Sequence, residues 1–307
     1  MNIDVLCIGN ASYDVFFPLD SYPEENKKYN SLTNVFESGG GPAANASYLL
    51  AKWGVNSAFM GLIGNDLNGQ AILNEYKQVG MSTDFIEIRD NYATPLSGII
   101  INKNNGSRTI ICRRTEFSQM RINRKQLCKI SPRILLFDGY ELEASLLALE
   151  IYPHAVSILD AGSLREATEL LAKKVNYLIC SENFAVDYTG VKEISTQVHK
   201  NNCIESMLTL KKNTVITLGE RGCLYNDQNA IKKTDAMKLN TIDTTAAGDI
   251  FHGAFAYTQL QGMPLSEAIL FSTITAGISV TRQGSRKSIP NISEVFSQYN
   301  KILKKTE

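Results

Sequence analysis

The chain has 307 residues, 44% hydrophobic and 20% charged, the composition of an ordinary globular protein. That length suits one large α/β domain with a small appendage and is short for two independent cores. Lys plus Arg and Asp plus Glu number 31 each, so zero net charge offers no global attraction to nucleic acid or an anionic membrane.

The amino terminus, MNIDVLCIGN, reads as an apolar strand over 3–9 that ends in glycine. It lacks the basic start, long apolar stretch and cleavage site of a signal peptide. No run of 18 apolar residues predicts a membrane span. Six scattered cysteines without a C-x-x-C pair read as reduced, buried thiols, and the expected location is the cytoplasm. A helix follows over 42–53, a strand over 56–63 and a helix over 67–79. Further strands fall near 134–138, 155–159, 176–180 and 214–218. Near-continuous apolar strands between helices predict a mostly parallel sheet covered on both faces. Two segments break this alternation. One, 14–37, holds the runs DVFFPL and SLTNVF; the other, 95–115, holds LSGIII and RTIICR around Asn105-Gly106, a hairpin signal. Together they predict a small antiparallel sheet beside a main domain made of 1–13, 38–94 and 116–307. Hinged next to an active site, such a sheet acts as a lid that excludes water; the plainer alternative is a static edge extension.

The segment of densest chemistry is Asp243-Thr244-Thr245-Ala246-Ala247-Gly248-Asp249, followed by the helical pattern IFHGAFAYTQLQG. Small residues at 246–248 leave backbone amides uncovered at a helix start, where the free N–H groups and the helix dipole favour an anion. Asp249 at the mouth of that site suits a base that takes the proton of a hydroxyl attacking phosphorus. The alternative for Asp249 is an ordinary acidic first turn. Upstream, VITLGERGCLY predicts a strand ending in Thr217-Leu218-Gly219, with Gly222 close behind, at the ligand side of a parallel sheet. Near the amino terminus, Ser38-Gly39-Gly40-Gly41-Pro42-Ala43-Ala44-Asn45 precedes a helix. The run is neither G-x-G-x-x-G nor a P-loop, which disfavours an NAD-dependent oxidoreductase. Backbone close to a polyol fits it, with Asn45 offering donors and an acceptor to hydroxyls and Asp14 accepting their protons. Read singly, Asn45 is equally a helix-capping residue and Asp14 a solvated loop carboxylate. The histidines at 154, 199 and 252 show no metal spacing, and His252 reads as structural.

Assembled, these residues resemble the ribokinase family of carbohydrate kinases, also called the phosphofructokinase-B family. The resemblance runs through nearly the whole chain. It is carried by GGGPAANA with the following GLIGNDLNG, by TLGERG, by DTTAAGDIFHGA and by the terminal VTRQGSRKSIP. It implies a three-layer α/β sandwich with a mostly parallel central sheet and a β-sheet lid, and phosphoryl transfer from ATP to a sugar hydroxyl with magnesium. It implies Asp249 as base and Ala246, Ala247 and Gly248 as the anion hole. Asp14, Gly40, Gly41 and Asn45, with Ser12, would hold the sugar. Thr217, Leu218, Gly219 and Gly222 would line the nucleotide site, with Thr273 and Gly277 flanking the adenine. A potassium ion would lie beside the anion hole, held mostly through carbonyls by Asp243, Thr245, Ser279, Arg282, Gly284 and Ser288. Two chains would pair through their lids.

Two departures stand out. Where the family carries Asn-x-x-Glu, this chain has Ser181 and Phe184, leaving Glu182 or Asn183 to reach magnesium through water. Where ribokinases carry lysine and glycine, it has Pro42 and Ala43. Lys27, Lys28, Arg113 and Arg114 in the lid would suit an acidic or phosphorylated sugar, or are solvated surface charges. Asp138-Gly139-Tyr140-Glu141, after a strand, is also placed to face the sugar. A nucleoside kinase on the same fold and a non-catalytic ligand sensor remain as alternatives.

Overall fold

The computed structural model describes residues 2–31, 35–113, 119–192, 194–228 and 230–306. In chain order its strands are β1 (Val5–Ile8), β2 (Ser12–Leu19), β3 (Phe36–Gly40), β4 (Ser57–Gly64), β5 (Ile86–Arg89), β6 (Leu96–Asn102), β7 (Arg108–Arg113), β8 (Ile134–Phe137), β9 (Val156–Ala161), β10 (Tyr177–Ser181), β11 (Thr214–Thr217), β12 (Cys223–Asp227) and β13 (Ala230–Thr234). Among the described residues, nine strands form the main sheet in the order β13-β12-β11-β10-β9-β8-β1-β4-β5. Pairing is parallel from β5 to β11 and antiparallel through β12 and β13 at the edge.

The central strands read as unbroken apolar runs because both of their faces are covered. In β1, Val5 and Cys7 enter one core while Leu6 and Ile8 enter the other. The first core lies under the helices Pro42–Lys52, Leu67–Gln78, Ala247–Leu260, Leu265–Ser279 and Ile292–Thr306. The second lies under Leu142–Ile151, Glu166–Ala172, Glu182–Thr189 and Gln197–Leu210. Helix starts follow local chemistry: Pro42 occupies the first turn of its helix, and Asp66 caps the next by accepting from Gly69 N–H at 2.8 Å. No helix among the described residues is long and apolar enough to cross a membrane.

The second, four-stranded sheet runs β3-β2-β6-β7 and has its own small core, where Phe16 and Phe36 stack 4.5 Å apart over Ile99 and Ile101. It is mixed rather than antiparallel. Strands β2 and β6 both run outward from the main domain, so they pair parallel, and β3 and β7 return alongside them. The hairpin expected around Asn105-Gly106 closes more widely than a two-residue turn. Asn102 N–H donates to Ser107 O at 2.9 Å, with Gly106 at φ 69° inside the loop. The loop tip rests on the main domain: Gly106 O accepts from Thr244 N–H at 3.1 Å and from Thr244 Oγ1 at 3.0 Å. The small sheet thus sits closed over the segment that leads to Asp249.

Candidate active site

The helix Ala247–Leu260 starts from Ala246, a non-glycine residue held at φ 59°, ψ 10°. A left-handed alanine costs about 1–2 kcal/mol, so the surroundings enforce it. Its effect is to turn the chain sharply into the first helical turn with little side chain over the amides. A Cβ added at Gly248 would meet open space. Asp249 projects from that first turn, and its Oδ2 accepts from Asn45 Nδ2 at 2.7 Å. Asn45 comes from the helix that begins after Gly41, whose φ of 98° and closeness to Asn10 O exclude any side chain.

Asp14 reaches the same space from β2. It is buried, Ser12 Oγ donates to its Oδ1 at 2.9 Å, and Gly40 packs so closely that a Cβ there would fall 1.9 Å from Asp14 Oδ2. Burial pushes the Asp14 carboxyl up to about 6, against the lowering by the Ser12 and Ser97 hydroxyls; the Asp249 charge adds to the rise. Ser12, Asp14, Gly41, Asn45, Thr245, Ala246 and Asp249 line one cavity of about 480 Å³. Residues far apart in sequence therefore meet around one cavity. Ala247 and Gly248 follow Ala246 into the helix without lining the cavity.

The cavity also gathers residues the motifs did not single out. Arg108, Ile110 and Cys112, at alternate positions of β7, line it. Arg165 carries no motif. Its guanidinium lies 4.2 Å from the Tyr140 ring centroid and donates to Asp138 O at 2.8 Å, while its buried Nε has no partner. Of the segment 138–141, Tyr140 and Glu141 line the cavity, and burial pushes the Glu141 carboxyl up to about 7. Asp138 instead ties the site together, accepting from the N–H groups of Asn10 (2.8 Å), Ala43 (3.2 Å) and Tyr140 (3.0 Å). Arg113 lines the cavity, with one donor on Thr94 O at 2.7 Å. Lys27 is exposed and pairs with Glu24, Lys28 is exposed, and neither lines the cavity; Arg114 lies outside the described residues.

Behind residues 246–248, His252 is buried as the structural reading expects. Its Nδ1 faces Gly248 O at 2.6 Å and Asp160 Oδ2 at 3.2 Å, and its Nε2 faces Ile179 O at 3.2 Å. Burial pushes the Asp160 carboxyl up, and the neighbouring His252 pulls it back down.

Thr217, Leu218, Gly219, Gly222, Thr273 and Gly277, expected on the nucleotide side, lie outside this cavity. Thr217 ends β11, Leu218 N–H donates to Gly222 O at 2.7 Å, and Gly219 and Gly222 take φ of 59° and 84°. A Cβ on Gly222 would fall 1.9 Å from Thr234 O, and one on Gly277 would fall 3.2 Å from Met237. Both glycines therefore admit the segment 234–237, a packing reason for them independent of any ligand. Thr273 lies on the same helix as Gly277, its Oγ1 buried without a partner.

Asp243 joins two loops: Oδ1 accepts from Thr245 N–H and Oδ2 from Gly284 N–H, both at 2.8 Å. Ser279 and Ser288 are buried beside them with hydroxyls bonded locally, and Arg282 pairs with Glu294 through its side chain. Thr245 Oγ1 is buried with no partner. That orphaned hydroxyl, beside loops rich in backbone oxygens, is chemically compatible with a monovalent cation. Magnesium fits less well. Among the described residues no group of three or more His, Cys, Asp or Glu side chains is placed to hold a metal. Ser181 caps the helix Glu182–Thr189, Phe184 is in the core, and the Glu182 carboxylate is paired with Arg221. A contact from Glu182 to magnesium would have to share that carboxylate with the guanidinium.

The raised Asp14 carboxyl has a stability consequence. An acid whose folded pKa is raised stabilises the fold fully below its unfolded value and loses that contribution as pH climbs through the folded one. The shift from 3.8 to about 6 is worth about 3 kcal/mol. Asp14→Asn is therefore expected to melt above the wild type at pH 8, and the two melting curves to converge near pH 4. Equal melting temperatures at both pH values would contradict this electrostatic cost.

Comparison with known proteins places the fold and the family. The curated ribokinase of Schizosaccharomyces pombe is 26% identical, covering 97% of this chain and 98% of its own. The crystal structure of ribokinase from Thermotoga maritima superposes with a TM-score of 0.80 at 27% identity, covering 97% of this chain and 99% of its own. Arabidopsis thaliana ribokinase, solved with ribose and ATP, superposes equally well at 20% identity and attests to the shared fold. The pfkB family carbohydrate kinase model matches residues 2–292. The chain belongs to the pfkB family of carbohydrate kinases and is a phosphotransferase with an alcohol group as acceptor.

Proposed function

We propose that this enzyme transfers the γ-phosphoryl group of ATP to a hydroxyl of a sugar, with Asp249 as general base. The observation that carries the reading is the convergence of Asp249, Asn45 and Asp14 on one cavity at the start of the helix Ala247–Leu260. Sugar hydroxyls donate to Asp14 and accept from or donate to Asn45, which aligns one of them on Asp249. Asp249 takes the proton of that hydroxyl as its oxygen bonds to phosphorus and the bond to the ADP oxygen breaks. Charge on the moving group meets the amides of 246–248 and the positive helix end. The closed small sheet keeps water, a competing acceptor, away from the reaction.

ATP lies along Thr217–Gly222 with its base beside Thr273 and Gly277. Magnesium bound to the ATP phosphates would neutralise part of their charge, with Glu182 or Asn183 reaching it only through water. Asp243, Thr245 and the carbonyls of Ser279, Arg282, Gly284 and Ser288 would hold a potassium ion, which would supply positive charge beside the amides of 246–248. The polar lining from Asp14, Glu141, Arg108, Arg113 and Arg165 favours a polyhydroxylated acceptor over a nucleoside base. The enzyme works in the cytoplasm, where its six free cysteines stay reduced. Two copies pair through the edge strand β7, which carries the exposed Ile111.

The test is sugar-dependent ADP release with magnesium across sugars, sugar acids, sugar phosphates and nucleosides, with and without potassium. The expected result is turnover on one class of sugar that rises with potassium. A nucleoside as the preferred acceptor, or rates indifferent to potassium, would overturn the corresponding part.

A further inference from the structure

The donor that Asn45 presents to Asp249 depends on which way its amide is turned, and the two ends of an amide have nearly the same shape. Sterics alone leave that choice open, so a neighbour must make it. The neighbour is Arg286, whose Nε donates to Asn45 Oδ1 at 3.3 Å. A guanidinium has donors only, so the oxygen must face it and Nδ2 is left to donate to Asp249 at 2.7 Å. A flipped amide would set its oxygen against the half-buried Asp249 carboxylate and its NH₂ against the buried guanidinium, two repulsive contacts.

Arg286 is itself held from every side. It is 3% exposed, its Nη1 donates to Glu75 Oε2 at 2.6 Å and its Nη2 to Tyr76 OH at 3.1 Å. Its guanidinium lies 4.5 Å from the Tyr76 ring centroid and 5.0 Å from that of Tyr48. Three donors with three separate partners use the rigid fork of an arginine, which a lysine does not possess. Glu75 continues the chain, accepting from Gly39 N–H in β3 at 3.0 Å. A Cβ on Gly39 would fall 2.2 Å from Arg286 Nη1, so the lid strand passes against the guanidinium only as glycine. For a buried ion pair such as Arg286–Glu75, the desolvation of the two charges offsets much of their attraction, so the pair is weak evidence of stability and suits a role in specificity of arrangement.

We propose that Arg286 is a positioning residue: it fixes the Asn45 amide with its donor toward Asp249 and, through Glu75, registers that amide with the lid strand β3. The inference rests on the kinase reading, because it assigns a purpose to the donor facing the base.

The test compares wild type, Arg286→Lys, Glu75→Gln and the double variant on the sugar that the wild type phosphorylates. Each preparation is first titrated with ADP, so that rates refer to folded, binding-competent protein. Arg286→Lys is expected to lower kcat ~10-fold or more and raise the sugar KM, with the ATP KM within about twofold of wild type. Glu75→Gln shifts the same parameters by less, and the double variant falls no further than Arg286→Lys, as members of one network do. Wild-type kcat and sugar KM in the titrated single variants, with only the competent fraction reduced, would show a purely structural role and overturn the proposal. If Arg286→Lys yields no folded protein, Glu75→Gln decides alone by the same criteria. A wild type that phosphorylates nothing overturns the kinase reading and this inference together, whereas an active wild type with unaltered variants overturns only the inference.

Discussion

Asp249→Asn is expected to cut turnover by ~10²-fold or more while leaving ATP affinity within about threefold of the wild type. The substitution preserves size, and the new amide can still accept from Asn45 Nδ2 through its oxygen, so the contact seen at 2.7 Å has a replacement. What disappears is the capacity to take the hydroxyl proton. The amides of Ala246, Ala247 and Gly248 stay in place, because the left-handed turn at Ala246 does not involve the carboxylate. Turnover by ADP release and ATP affinity by calorimetry would separate the two effects. Near-normal turnover would remove Asp249 from the role of base.

Gly41→Ala is expected to damage both stability and catalysis. At φ 98° an alanine is strained, and its Cβ would fall 2.3 Å from Asn10 O and 3.0 Å from Ala11 Cα, both backbone atoms that cannot swing aside. Strain and overlap together cost about 3 kcal/mol or more. Relief requires moving either the chain at 10–12, which leads to Ser12 and Asp14, or the start of the helix that carries Asn45. A shift of about 1 Å at such positions lowers kcat/KM ~10²-fold. Gly80→Ala is the control: its φ is 69° but a Cβ there meets open space, and Gly80 does not line the cavity. It is expected to cost about 1 kcal/mol and leave kcat/KM unchanged. Thermal melts and kinetics of both variants decide, and a Gly41→Ala protein no worse than the control would contradict the close approach.

Much of the fold was legible because the central strands are buried on both faces and read as plain apolar runs. The run VLCI in β1 and ILLF in β8 needed no partner to be recognised. The parallel pairing of β2 with β6 was not, since both segments look like hairpin arms until their direction out of the main domain is known. At the site, the two glycine- and alanine-rich runs announced themselves through backbone chemistry. Arg165 and Arg286 did not. Arginines scattered in loops and short helices carry no pattern, and Arg286 meets Asn45 across a separation of 241 residues. The glycines at 222 and 277 show the reverse difficulty: a ligand-site motif can also have a packing cause, here the passage of residues 234–237. Glu182 was selected by sequence register alone, which gives no hint of the Arg221 guanidinium beside it.

The measurement closest to the central claim is ³¹P NMR of the wild-type protein with ATP, magnesium, potassium and the acceptor panel. The account predicts a new sugar-phosphate resonance growing in step with ADP, and its absence with Asp249→Asn over the same time. ADP accompanied only by inorganic phosphate, or a sugar phosphate formed equally well without the Asp249 carboxylate, would contradict it.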